Sequence, residues 1–358
     1  MNLEQCIVRE IEKSKSISFA RFMELALYAP ELGYYEHKER VGRAGDFFTS
    51  VSVGSLFGEL LSYQFAEWLG DDSSGSSPQI LESGAHDGQL ACDILLRLQR
   101  GAPDFFQKVR YCILEPSIRH EQWQRETLKQ FSNVRWVKEW TEVEPFSGII
   151  FSNELLDAIP FHRIQWNALA RKWQEMNVEW TGNQFVWTLN AISSDFPQLP
   201  TVPEPLADVL PDGFQTEVGP SALAWWKIAA GKLKRGKIMA IDYGLTADEF
   251  FTPERSRGTA RSYKRHHLGH DLLSNPGEQD ITCHVNFSAI MEAGESAGFQ
   301  TEFFGSQSKF LTSIVEKNQR SGIDALDRKF VAQFQTLTHP AHLGARFKVL
   351  VQKANLLI

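Results

Sequence analysis

Acidic and amide side chains close several apolar runs of this chain, and glycines follow the first of them. Gln79-Ile-Leu-Glu-Ser-Gly-Ala-His-Asp-Gly88 reads as a strand ending in Glu82, a tight loop through Gly84, Ala85, His86 and Gly88, and then an amphipathic helix. Unpaired backbone N–H groups at such a helix start can meet the polar groups of a nucleotide-like cofactor. Glu115 ends the next strand, where it can accept hydrogen bonds from both ribose hydroxyls of an adenosine. Asn153-Glu154 end a later strand, across the topological switch point of an α/β sheet. Taken singly, Glu82 and Glu115 could simply stop strands, and the glycines could only shape a turn. Taken in this order, they point to an adenosyl cofactor. A dinucleotide fingerprint asks for a third glycine, and none follows Gly88. An adenosyl sulfonium carries no phosphate and needs less open backbone.

These residues need an alternating α/β frame. Residues 1–70 read as helical: Leu3, Ile7 and Ile11 keep helical spacing, Ser18 can cap a second helix carrying Phe22, Leu25 and Ala26, and Leu56–Leu69 makes a third. Residues 71–78 form a polar Ser/Gly stretch that marks a boundary. Strands are expected at Gln79–Glu82, Tyr111–Glu115, Val134–Val137 and Gly148–Ser152, with helical spacers, which predicts a parallel sheet covered on both faces. Trp173–Val178 and Gln184–Leu189 flank Thr181-Gly-Asn183 as an inserted β-hairpin. Alternation resumes with a helix near Ser221–Leu233 and a strand at Lys237–Asp242. Phe250–Asn286 reads as irregular and precedes a helix through Ile290–Ala297. Gln300–Phe304, two helices and Phe347–Val351 end the chain, the last strand being expected antiparallel at a sheet edge. The organisation is thus a helical region over 1–78 and an α/β core over 79–358, with insertions at about 164–218 and 250–286.

Composition narrows the partners. A formal net charge of −7 argues against nucleic acid, because phosphate binding needs concentrated Lys and Arg. The four cysteines are widely spaced, form no Cys-x-x-Cys pair and suit a reducing compartment. No apolar run reaches transmembrane length, and Glu4, Glu10 and Glu12 speak against a transit peptide, so the chain is expected to be cytoplasmic and most simply bacterial. His266, His267 and His270 lack a matched Cys or acidic pattern, so no metal is expected.

The chain also resembles a known family. Glu82-Ser-Gly84-Ala-His86-Asp-Gly88 is similar to the E-x-G-x-G-x-G motif of MidA-like class I methyltransferases. Further similarities run in order: Phe22-Met-Glu-Leu-Ala-Leu-Tyr28, Gly33-Tyr34-Tyr35, Gly45-Asp46-Phe-Phe-Thr49-Ser50, Leu114-Glu-Pro-Ser117, Asn153-Glu-Leu-Leu-Asp-Ala158, Ile241-Asp-Tyr-Gly244, Gly258-Thr259, Asp280-Ile-Thr-Cys-His-Val-Asn-Phe287, and Gln307 with Phe310-Leu311. The resemblance implies a Rossmann-like class I methyltransferase fold, with a mainly parallel twisted sheet, an antiparallel edge strand, a helical N-terminal region and inserted segments. It also implies S-adenosyl-L-methionine as methyl donor, with Asp46 and Thr49 joining the cofactor side. The family's mitochondrial member methylates an arginine during respiratory complex I assembly, so a protein acceptor is implied.

The residues are compatible with that acceptor. A guanidinium is a poor nucleophile, and carboxylates can aim one of its nitrogens by paired hydrogen bonds. Glu154 is the first candidate to grip it, with Asp157 one helical turn on and able to share its face. Both could instead complement a helix dipole. Asn153 could orient the donor's amino-acid part or the acceptor. Asp242 is a possible second carboxylate or an ordinary strand-end turn. His284 could accept a proton, or be a satisfied structural group among Ile281, Val285 and Phe287.

The chain departs from the family at three positions. His86 replaces the second motif glycine, Ser52 stands where an acid usually follows, and Asn286 replaces an acid before Phe287. These departures motivate the alternative of a catalytically weakened assembly or binding protein on the same fold. A small-molecule methyltransferase is a third option.

Overall fold

The computed structural model describes residues 2–37, 49–70, 77–193, 196, 199, 204–264, 267–318 and 328–355. Two compact units are woven from alternating stretches of chain. The sheet unit takes Phe47–Leu156, Trp225–Gly244 and Ile290–Ile358, and its span includes the boundary expected at residue 78. The second unit takes Met1–Asp46, Asp157–Ala224 and Leu245–Ala289.

In the sheet unit, the strands are β1 (Gln79–Ser83), β2 (Arg110–Leu114), β3 (Val134–Val137), β4 (Phe146–Asn153), β5 (Leu233–Leu245), β6 (Phe299–Ser306) and β7 (Phe347–Ala354). They run in the order β3-β2-β1-β4-β5-β7-β6. The pairs β1–β2, β1–β4, β2–β3 and β4–β5 are parallel. β7 is antiparallel to both neighbours and lies one strand in, with β6 outside it. This is the Rossmann-like arrangement that the resemblance implies. Strands covered on both faces need apolar side chains on both, and every residue of β1 is buried. The helices Leu56–Gly70 and Gln89–Gly101 contribute Phe57, Leu61, Phe65, Ile94 and Leu98 to a core shared with Ile149 and Phe151 of β4.

In the second unit, Asn2 caps the helix Leu3–Ser14 through a capping box with Gln5, and Leu3, Ile7 and Ile11 form its buried stripe. Ser18 accepts the Arg21 N–H to start the helix Phe19–Tyr28. The inserted hairpin is Lys172–Trp180 paired antiparallel with Phe185–Ala191. Lys172–Trp180 also pairs with His162–Asn167 and Ile17–Ser18, and Gln215–Val218 adds to His162–Asn167. Within the stretch expected to be irregular, Arg261–Lys264 pairs with His267–Gly269 and with Asp280–Thr282.

One expectation is corrected. Glu154 and Asp157 do not share a helical face, because the chain makes bends and turns over 154–159 and then enters the strand His162–Asn167. Pro160 fixes its own φ and disfavours helical geometry in the residue before it, so a helix has no room to propagate.

Candidate active site

The carboxyl ends of β1, β2, β4 and β5 gather the candidate residues of the sheet unit. After β1, Gly84, His86 and Gly88 all have positive φ, at 81°, 45° and 82°. The turn closes through a hydrogen bond from the Gly88 N–H to the Ala85 carbonyl at 2.7 Å, and Gly88 starts the helix Gln89–Gly101. Glycine adopts this backbone freely, while histidine does so at a cost of about 1 kcal/mol. A Cβ at Gly84 would come within 3.1 Å of the Leu155 side chain, so glycine also allows a close approach there.

His86 turns its ring towards the helix Ile118–Thr127. Its centroid lies 5.8 Å from that of His120 and 6.0 Å from that of Trp123. Its Nδ1 is 3.7 Å from Asp87, and its buried Nε2 has no hydrogen-bond partner among the described residues.

Glu82 lies beneath the loop and is buried, with the Tyr111 hydroxyl donating to it at 2.7 Å. Burial pushes its carboxyl up to about 7; the Tyr111 hydrogen bond opposes that rise and the Asp87 charge adds to it. Glu115 follows β2 and is also buried. Its Oε1 accepts the Ser117 N–H at 2.9 Å, and its Oε2 accepts from Gln124 Nε2 at 2.8 Å, with His120 Nδ1 at 3.4 Å. A carboxylate offers about four lone-pair sites. With Gln124 and His120 both against Oε2, acceptor capacity remains on Oε1, which suits a ribose hydroxyl.

At the end of β4, the Asn153 amide donates to Glu154 Oε1 at 3.1 Å, while its buried Oδ1 has no partner among the described residues. Such an orphaned acceptor suits a donor on a bound molecule, such as an ammonium group. Glu154 has φ at 52°, an uncommon backbone for a residue with a long side chain, and its N–H donates to the Ile241 carbonyl. Asp242 is fully buried. Its Oδ2 accepts the N–H groups of Leu155 and Leu156 at 3.2 and 2.8 Å, and its Oδ1 accepts that of Tyr243 at 2.8 Å. This is the strand-end geometry, and it fixes the turn that carries Glu154.

Thr49 and Ser52 form a capping box at the helix Ser50–Val53. Ser52, one of the three departures, thus has a backbone role. Asp46 and His266 lie outside the described residues. Among the described residues, no group of three His, Cys, Asp or Glu side chains could hold a metal ion, and no helix is long and apolar enough to cross a membrane.

Asp157 and His284 belong to the second unit. Asp157 is buried, and its carbonyl accepts the Cys283 N–H at 3.0 Å. The His284 N–H donates to Thr259 Oγ1, while its buried Nδ1 has no partner among the described residues. Burial lowers the His284 pKa, Glu217 opposes that shift, and Arg255 and Arg261 reinforce it. Sequence reasoning missed the hub behind it: Glu217 accepts from Thr259 Oγ1 and from the N–H groups of Thr259 and Ala260. A Cβ at Gly258 would meet Glu217 Oε1 at 2.1 Å, so the unremarkable pair Gly258-Thr259 has a defined packing role.

Residues 60–305 match the profile of a family described as S-adenosyl-L-methionine-dependent methyltransferases. A Burkholderia thailandensis protein crystallised bound to S-adenosyl-homocysteine is 31% identical, with 98% of this chain and 91% of that one covered and a TM-score of 0.83. The mitochondrial protein arginine methyltransferase NDUFAF7 homolog of Drosophila melanogaster is 26% identical over 93% of this chain and 80% of its own length. The mitochondrial protein arginine methyltransferase NDUFAF7 of Danio rerio is 26% identical over 93% of this chain and 82% of its own. These curated relatives carry mitochondrial names, which overturns the expectation of a cytoplasmic chain. Widely spaced cysteines without a Cys-x-x-Cys pair do not distinguish one reducing compartment from another.

Proposed function

The chain belongs to this family and is an S-adenosyl-L-methionine-dependent methyltransferase, and from that premise we propose that its acceptor is an arginine side chain of a protein, the activity for which the curated relatives are named. The observation that carries this reading is the pair at the end of β4. There, a carboxylate in left-handed backbone stands next to the unpartnered Asn153 Oδ1.

When bound, S-adenosyl-L-methionine supplies an electrophilic methyl group on a cationic sulfur that leaves as a neutral thioether. The protein must then hold and aim the acceptor. Glu115 accepts a hydrogen bond from a ribose hydroxyl, and the loop of Gly84, Ala85, His86 and Gly88 lies against the donor. Asn153 Oδ1 accepts from the donor's ammonium group. Glu154 grips the guanidinium by charge-assisted hydrogen bonds and directs one nitrogen at the methyl carbon. Asp242 keeps the Glu154 turn in place through its hydrogen bonds from the Leu155 and Leu156 N–H groups. Methyl transfer would form the new N–C bond as the S–C bond breaks, with one N–H proton of the acceptor passing to solvent.

The test is incubation of the full chain with methyl-labelled S-adenosyl-L-methionine and a whole-protein extract, then acid hydrolysis and amino-acid analysis. Label in methylarginine is expected, and Glu154→Gln should lower its rate by about a hundredfold. Label in another amino acid, or none in protein, overturns the arginine reading.

A further inference from the structure

We propose that Gln124 is a positioning residue for the cofactor: one buried amide that ties the loop after β1 to the carboxylate after β2. The inference rests on the reading of Glu115 as the group that meets the ribose.

Gln124 sits in the helix Ile118–Thr127 and is fully buried. Its Nε2 donates to Glu115 Oε2 at 2.8 Å and to the His86 carbonyl at 3.0 Å, and its Oε1 accepts the Trp136 indole N–H at 2.9 Å. The direction of the amide is forced. An indole N–H can only donate, so the amide oxygen must face Trp136. Both amide hydrogens then point at acceptors, one on the ribose-side carboxylate and one on the cofactor loop. A flipped amide would set donor against donor at Trp136 and acceptor against two acceptors on the other side. The helix also approaches the loop closely, since a Cβ at Gly88 would lie 3.3 Å from the Gln124 Cα.

The two pieces held by this amide are those that define the cofactor side. Gln124 holds Glu115 Oε2 at 2.8 Å, which leaves the carboxylate's remaining acceptor site directed rather than rotating. The His86 peptide, at a backbone angle that histidine adopts at a cost, gains a hydrogen bond to its carbonyl. His120 and Trp123 of the same helix hold the His86 ring. One helix face therefore stabilises the position at which this chain lacks the motif glycine. The amide touches no reacting atom. Its loss should weaken cofactor binding and raise the KM for S-adenosyl-L-methionine, with kcat at saturation nearly unchanged.

The experiment is calorimetry on the full chain with S-adenosyl-homocysteine and its 2′-deoxyribose analogue. In the unmodified protein, removing the hydroxyl should weaken binding about tenfold, the scale of a hydrogen bond lost from a buried charged acceptor. Gln124→Met should weaken S-adenosyl-homocysteine about tenfold and shrink the hydroxyl penalty to about threefold or less, because Glu115 Oε2 loses its 2.8 Å donor and the carboxylate is then held only through Ser117 and the longer His120 contact. Trp136→Phe, which leaves both donations by the amide in place, should keep most of the penalty. If the unmodified protein shows no hydroxyl penalty, the reading of Glu115 fails. If the penalty is present and Gln124→Met retains it in full, the positioning role fails while the Glu115 reading stands. Should the Met variant not fold, Gln124→Asn decides in the same way, since its shorter amide cannot span all three partners.

Discussion

His86 combines a left-handed backbone with a ring packed against His120 and Trp123. These two features separate in a pair of substitutions. His86→Ala loses the ring contacts and keeps the unfavourable φ, whereas His86→Gly loses the contacts and relieves the backbone. Glycine should therefore be the more stable variant, by about 1 kcal/mol in urea unfolding. Alanine equal to or better than glycine would contradict a left-handed residue 86.

Glu82 offers a second test at this scale, by pH. Its folded-state value is raised from 4.5 to about 7, chiefly by burial. Across that window the folded chain binds more protons than the unfolded chain, so stability falls as pH rises and the loss is complete above the folded value. The whole effect is about 3 kcal/mol. Glu82→Gln keeps an acceptor for Tyr111 and removes the titration, so its melting temperature relative to the parent should rise by a few degrees between pH 5 and 8. A constant difference would mean that the carboxyl is not perturbed. Strand-end acids such as Glu115 and Glu154 are legible in the sequence because an apolar run points at them. Gln124, Tyr111 and Glu217 are not, because their partners lie on other elements and no local pattern marks a buried amide or hydroxyl.

Helix starts account for two departures from the family pattern. Ser52 closes the capping box with Thr49, and Asn286 Oδ1 accepts the Ala289 N–H at the start of the helix Phe287–Ser296. An acid can accept such a hydrogen bond too, so the local fold tolerates either residue type. Asn286→Ala should cost about 1 kcal/mol, while Asn286→Asp should stay within about 0.5 kcal/mol of the parent in urea unfolding. An aspartate variant that loses stability like alanine would remove capping as the explanation. The expected strands match the observed ones to within a few residues because alternation and apolar runs are local signals. The turn after β4 was not legible. Its N–H groups are captured by Asp242, which lies 86 and 87 residues further along the chain. The short strands within 250–286 carry Arg261, Lys264 and His267, and their polar character hides them.

For the molecule as a whole, the chain leaves the sheet unit soon after β4 ends and again as β5 ends, returning each time to add the next strand. Both departures follow the carboxyl end of a strand, the edge at which open α/β sheets bind ligands. Sequence alternation revealed the sheet and where it is interrupted. It could not reveal that the interruptions join the N-terminal helices in one compact unit, since that depends on pairings such as Ile17 with Val178. This division makes a prediction about binding. The orphaned His86 Nε2 and Asn153 Oδ1, and the free acceptor capacity of Glu115, all belong to the sheet unit. S-adenosyl-homocysteine at a hundred times its Kd should raise stability by about 2.7 kcal/mol through binding to the folded state alone. In hydrogen exchange, the added protection should centre on the loop after β1, the Glu115–Ser117 turn and the end of β4. Those segments hold the groups that gain partners, and a local opening there would release the ligand. Protection confined to the hairpin Lys172–Ala191 would place the cofactor elsewhere and remove the strand-end loop from its binding site.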